Sequence, residues 1–126
     1  MASTLRVGNR SIILSNATAT AFIDFLIESA RFTIESKDET WVSTLIEERN
    51  FLYPGADIEF TDIFPMVEQL IFWQAAIRRM RLLIENGEIG NQDDLSWRIP
   101  FLEKLEPIEK LFALEISRVR SAGSAC

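Results

Sequence analysis

The sequence predicts an all-α protein, a single-domain bundle of four to five helices around a long central helix. Three observations carry that prediction. From Thr61 to Gly87, Met66, Leu70, Trp73, Ile77, Met80 and Ile84 recur at steps of four and three, which on an α-helix aligns six apolar side chains in one seam. The same spacing recurs upstream at Ile23, Ile27, Ala30 and Ile34, and apolar positions continue downstream from Trp97 to Val119. Helix punctuation falls between these segments: Ser36-Lys37-Asp38-Glu39 has capping-box spacing, and Asn86-Gly87 offers a left-handed stop.

The central segment, residues 61–87, carries a second apolar line of Phe64, Ile71, Ala75 and Leu82. Only Glu68, Arg78, Arg79, Arg81 and Glu85 make its surface polar, so the expectation is a helix packed from both sides. Thr61 can cap it, and Pro65 falls in the first turn, where its missing N–H does little harm. At about 1.5 Å per residue it would be roughly 35 to 40 Å long.

Taken in order, residues 1–10 are polar and expected to be loose. Ser11 to Ser15 fits either a short extended segment or the start of the first helix, five residues being too few to decide. Ser15 or Asn16 can cap a helix to about Glu35, with Asp24, Glu28, Arg31 and Glu35 on its wet side. After the capping box, a second helix to about Asn50 buries Trp41, Val42, Leu45 and Ile46. Tyr53-Pro54-Gly55 is a turn signal, since Pro presets φ and Gly accepts positive φ next to it. Residues 88–94 form a polar loop expected to bury nothing. The last helical region opens at Asp94 or Ser96, and Pro107 inside it predicts a kink or break near Leu105 and Glu106. Residues 121–126 are a tail of small residues.

Composition bounds the function. With 126 residues and 48% hydrophobic content, the chain can build one core without staples. A single cysteine, Cys126, makes neither a disulfide framework nor a metal site, which predicts a reducing compartment. There is no signal-peptide pattern and no apolar run of the ~18 residues a membrane span needs, so the location expected is cytoplasmic. The net charge is −6, and residues 24–62 hold ten acids against three bases. Residues 85–115 hold eight acids against three bases. That balance argues against nucleic-acid and anionic-membrane partners and favours a basic protein.

Histidine is absent, which removes Ser-His and Cys-His nucleophile systems and most zinc sites. No Gly-rich phosphate loop and no EF-hand loop is present. The carboxylate groups Glu47-Glu48, Glu85/Glu88 and Asp93-Asp94 read as solvated faces. A magnesium-dependent hydrolase needs acids one turn apart on facing helices, and Glu47-Glu48 is followed one turn later by Phe51 and Leu52. Arg78, Arg79 and Arg81 read as structural, favoured by the helix dipole and within pairing reach of Glu85.

What remains is the acidic and aromatic loop. Tyr53, Ile58 and Phe60 beside Asp57, Glu59 and Asp62 place apolar anchors among acids, the composition of a hot spot for a basic partner. The alternative is a loop that packs its own side chains against the bundle. The function predicted is a non-enzymatic acidic protein-binding module without cofactor or metal, an inhibitor that neutralises one basic protein, such as a toxin or enzyme. In size, acidity and lack of catalytic residues the chain is similar to helical immunity proteins that neutralise bacterial toxins. That likeness is one of class and carries no residue across. Two other functions are weighed: a homodimeric adaptor joined through Phe64, Ile71, Ala75 and Leu82, and, behind it, a carboxylate hydrolase.

Overall fold

The computed structural model describes residues 2–32 and 39–124, and it overturns the all-α expectation. Among the described residues there are three strands and five helices. In chain order these are β1 (Ala2–Val7), β2 (Arg10–Ser15), α1 (Asn16–Arg31), α2 (Glu39–Asn50), β3 (Asp57–Glu59), α3 (Phe60–Ile63), α4 (Val67–Glu85) and α5 (Arg98–Ser124). The Ser36 capping box and Ile34 lie outside the described residues.

Residues 2–7, expected to be loose, form the middle strand of a sheet ordered β2-β1-β3. β1 and β2 are an antiparallel hairpin in which Leu5 faces Ile12 and Val7 faces Arg10; β1 and β3 are parallel, with Leu5 opposite Ile58. Side chains alternate across a strand, so Ser3, Leu5 and Val7 turn inward while Arg6 stays exposed. The turn is the two residues Gly8-Asn9, and Gly8 adopts φ 65°, the left-handed geometry that two-residue hairpins require. With Ser3 at an inward position, the period-two signal in β1 rests on two apolar residues, too few to stand out against the helical pattern around it.

The hairpin leads directly into α1. Ser15 caps it, its Oγ accepting from Thr18 N–H at 3.1 Å. Asn16 has a different task, its Oδ1 accepting from Ser3 Oγ at 2.8 Å and from Gly55 N–H at 3.0 Å. The expected Tyr53-Pro54-Gly55 turn is present, closed by Ala56 N–H to Tyr53 O at 3.0 Å, with Gly55 at φ 83°. α1 and α5 lie against the hairpin, and α4 packs onto both of them. Val42 and Leu45 of α2 are buried, and Trp41 meets Phe72 edge-on at 5.4 Å.

The central helix is shorter than predicted. Phe64 precedes a proline and is extended, with ψ 81°, because the proline ring disfavours helical backbone one residue earlier. The helical stretch therefore splits into α3 and α4. Thr61 caps nothing here, and Met66 starts α4, its N–H donating to Gln69 Oε1 at 2.9 Å. The C-terminal stop is as expected: Gly87 N–H bonds Ile84 O at 3.1 Å and Glu88 N–H bonds Leu83 O at 2.8 Å, a Schellman closure with Gly87 left-handed.

The seam is also as predicted from Leu70 to Ile84, whereas the second face is not. Ala75 is exposed and Leu82 is 59% exposed, so α4 has one buried face. Of the predicted kink or break at Pro107, the break does not occur: α5 runs as one helix from Arg98 to Ser124 with Pro107 inside it. The carbonyl that loses its partner there belongs to exposed Glu103, where water can satisfy it. The predicted Arg81–Glu85 pairing gives way to a contact between helices, with Arg78 Nε 2.8 Å and Arg81 Nη2 3.0 Å from the Glu109 carboxylate of α5.

One contiguous core results. Phe60 is its joint, edge-on to Phe112 of α5 at 4.8 Å and to Trp73 of α4 at 6.1 Å.

Candidate functional site

A cleft of about 210 Å³ opens where α1, α2, β3 and α3 meet. Its floor is aliphatic, from Ile23 of α1, Leu45 of α2, Leu52, Ile58 of β3 and Ile63 of α3. Around it stand four carboxylates, Glu48, Asp57, Glu59 and Asp62, and one guanidinium, Arg49. The alternation of β3 produces this division. Asp57 and Glu59 are exposed, while Ile58 between them turns inward and is 6% exposed. β3 is also an edge strand, paired only with β1, so one side of its backbone is unpaired within the sheet.

Arg49 does not neutralise this rim freely. Its Nε lies 2.6 Å from Asp24 Oδ1 and its Nη2 3.3 Å from Oδ2, a two-pronged contact that fastens α2 to α1. That hydrogen bond raises the Arg49 pKa, against the opposing effect of partial burial.

Glu59 and Asp62 interact directly. The Glu59 carboxyl is held above the ordinary carboxyl range, first by a hydrogen bond shared with Asp62 and then by that neighbour's charge. Arg6, opposite Glu59 in the β1–β3 pairing, pulls the other way. A cation seated here would offset the repulsion between the two carboxylates.

Of the six residues named from sequence, the structure brings Asp57, Ile58, Glu59 and Asp62 to one cleft. Tyr53 is 68% exposed and lines an adjoining hollow with Asn16, Arg49 and Pro54. Phe60 is 0% exposed and belongs to the core, with no surface to offer a partner. Sequence reasoning missed Glu48, which read as part of a solvated helix face, and Arg49 with its Asp24 partner. Helical spacing shows that Glu48 is exposed; only the packing of α2 beside β3 shows what it is exposed beside.

Among the described residues, no group of three or more Asp, Glu, Cys or His side chains is placed to hold a metal ion. No helix among them is long and apolar enough to cross a membrane. No protein-family model, no curated protein and no solved structure matches this chain.

Proposed function

We propose that this chain is a non-enzymatic protein-binding module that holds one basic protein partner at the cleft between α1, α2 and β3, acting as its inhibitor. The observation that supports this reading is the cleft itself: an aliphatic floor beneath Glu48, Asp57, Glu59 and Asp62, with its one guanidinium already engaged by Asp24. Such a rim suits the stem and head of a partner lysine or arginine, the methylenes lying on Ile58 and Leu52 while the cation meets carboxylates. The net charge of −6 adds a long-range field that speeds encounter with a basic surface at low salt. The reading rests on this cleft and no longer on a helical architecture.

The test is capture of partners from a host lysate at low salt, run in parallel with wild type and the triple variant Asp57→Lys, Glu59→Lys, Asp62→Lys. A basic protein retained by wild type, released by salt and absent from the variant is the expected result. Equal retention by a variant of unchanged melting temperature overturns it.

A second reading is self-association through the outer stripe of α4, where Ala75 and Leu82 are exposed. Phe64, counted in that stripe from sequence, is buried in the core. Sedimentation over a hundredfold range of concentration separates the two, a constant monomer mass excluding the dimer.

A further inference from the structure

The segment between α4 and α5 read from sequence as a polar loop that buries nothing. It is instead built round an indole. Ile89 is 2% exposed and anchors the segment in the core. Gly90 adopts φ 88°, and any Cβ there would fall on the Trp97 ring, so the indole lies directly against the Gly90 backbone. Trp97 Nε1 donates to Asn91 O at 2.9 Å, and Gln92 Nε2 braces the turn through Ile89 O at 2.9 Å and Gly90 O at 3.0 Å. The indole is thus held in place by its own loop.

Two more rings complete a wall. Phe25 of α1 lies 5.5 Å from Trp97 and meets Phe101 of α5 edge-on at 5.2 Å. Ala17 and Ala21 lie two turns and one turn before Phe25 on α1, and they are too small to fill the space beside these rings. A cleft of about 420 Å³ is left, lined also by the buried Phe101 and the exposed Pro100. That volume falls within the ~300–1,000 Å³ typical of small-molecule sites, and the lining sets the rings of Phe25, Trp97 and Phe101 beside the polar Thr18 and Asn91, a mixture such sites use.

Its charge is the opposite of the acidic cleft's. Lys104 is the single charged side chain lining it among the described residues, and it takes part in none of their ion pairs. Lys104, exposed and outside those ion pairs, puts one cation beside this slot, and a cation next to aromatic rings is complementary to a planar ring that carries an anionic group.

We infer that the cleft formed by Ala17, Ala21, Phe25, Trp97, Phe101 and Lys104 binds a small planar aromatic carboxylate, its ring against Trp97 and Phe25 and its carboxylate on the Lys104 ammonium. The inference is independent of the protein-binding reading, since the two clefts share no lining residue.

The test uses the full ¹⁵N-labelled chain titrated with indole-3-acetate, following the Trp97 indole N–H resonance. A saturable shift with a Kd of about 0.01–1 mM is expected, as for a small ligand with one ion pair. Indole-3-acetamide, of the same shape but uncharged, is expected to bind about three- to tenfold more weakly, and Lys104→Met to remove that difference. Ala21→Leu fills the slot and should abolish binding of both; Lys104 is exposed, so its variant keeps the test decisive even where Ala21→Leu unfolds the chain. Three results overturn the inference: no saturable shift, the amide binding as tightly as the acid, or a Trp97 resonance that shifts with protein concentration alone because a second copy fills the cleft.

Discussion

The Gly8 backbone N–H donates to Thr61 Oγ1 at 3.0 Å, tying the tip of the β1–β2 hairpin to α3 across 53 positions of sequence. The same tip faces α5. A Cβ on Gly8 would fall on the Glu115 carboxylate, which Arg118 holds in place through Nε at 2.6 Å and Nη2 at 2.8 Å. Three segments distant in sequence thus meet at one residue without a side chain.

Gly8→Ala should therefore cost more than a left-handed residue alone. The unfavourable φ is worth about 1 kcal/mol, and displacing a pinned carboxylate adds to it, for a total of about 2–3 kcal/mol. Thr61→Val, which keeps the shape but removes the acceptor, should cost about 1 kcal/mol. Urea unfolding of both variants checks this. A Gly8→Ala loss no larger than that of Thr61→Val would show that the carboxylate moves freely.

Glu115 is 7% exposed, and the Arg118 hydrogen bonds hold its carboxyl below the ordinary range, against the opposing effect of burial. A folded pKa below the unfolded one contributes stability that is present above the unfolded value and is lost as pH falls through the folded one. Arg118→Leu should lower stability at pH 7, since it leaves the largely covered Glu115 carboxylate without its partner. The gap between variant and wild type should narrow as pH falls and Glu115 protonates. Thermal unfolding at several pH values between about 7 and 3 measures it, bracketing the ordinary carboxyl pKa. A gap independent of pH would contradict the assignment.

The Glu59–Asp62 contact predicts the opposite sign. A carboxyl whose folded pKa is raised binds its proton more tightly in the folded state, so its contribution favours folding at low pH and is lost as pH rises through the folded value. Asp62→Asn removes the neighbour's charge and should return Glu59 toward ordinary carboxyl behaviour. Carboxyl-carbon NMR of Glu59 in both proteins reads this directly. An unchanged Glu59 titration would show that the two carboxylates do not interact in solution.

Trp73 is wholly buried against Phe60, Phe64 and Phe72, and its Nε1 has no hydrogen-bond partner among the described residues. An unsatisfied buried donor costs about 1–3 kcal/mol, which Trp73→Phe removes while giving up some packing. The net loss should be no more than about 1–2 kcal/mol, against about 3–5 kcal/mol for Trp73→Ala. Equal losses in chemical denaturation would mean that the indole N–H is satisfied in solution.

Along the chain, what could be read from residues was what short-range chemistry dictates. The seam from Leu70 to Ile84, the Ser15 cap, the Gly87 stop and the Pro54-Gly55 turn all depend on side chains within one or two turns of one another. The acids Asp57, Glu59 and Asp62 around an apolar Ile58 were legible as neighbours, but they read as a loop; the pairing with β1 makes residues 57–59 a strand and turns Ile58 inward.

The remainder required partners distant in sequence. β1 is a strand because β2 and β3 satisfy its backbone on both sides, and β3 lies more than fifty residues away, so no window on residues 2–7 contains that information. The outer face of α4 looked buried by composition, but tertiary packing supplied neighbours to only one side of the helix and left Leu82 in water. The two clefts arose in the same way, Glu48 reaching the acidic rim through the placement of α2 and Lys104 reaching the aromatic slot through the loop that seats Trp97 on Gly90. Sequence by itself determined which segments are helical and where several of them begin and end, because those energies are local. Tertiary structure decided which residues share a surface, because that depends on which distant segments bury one another's apolar faces.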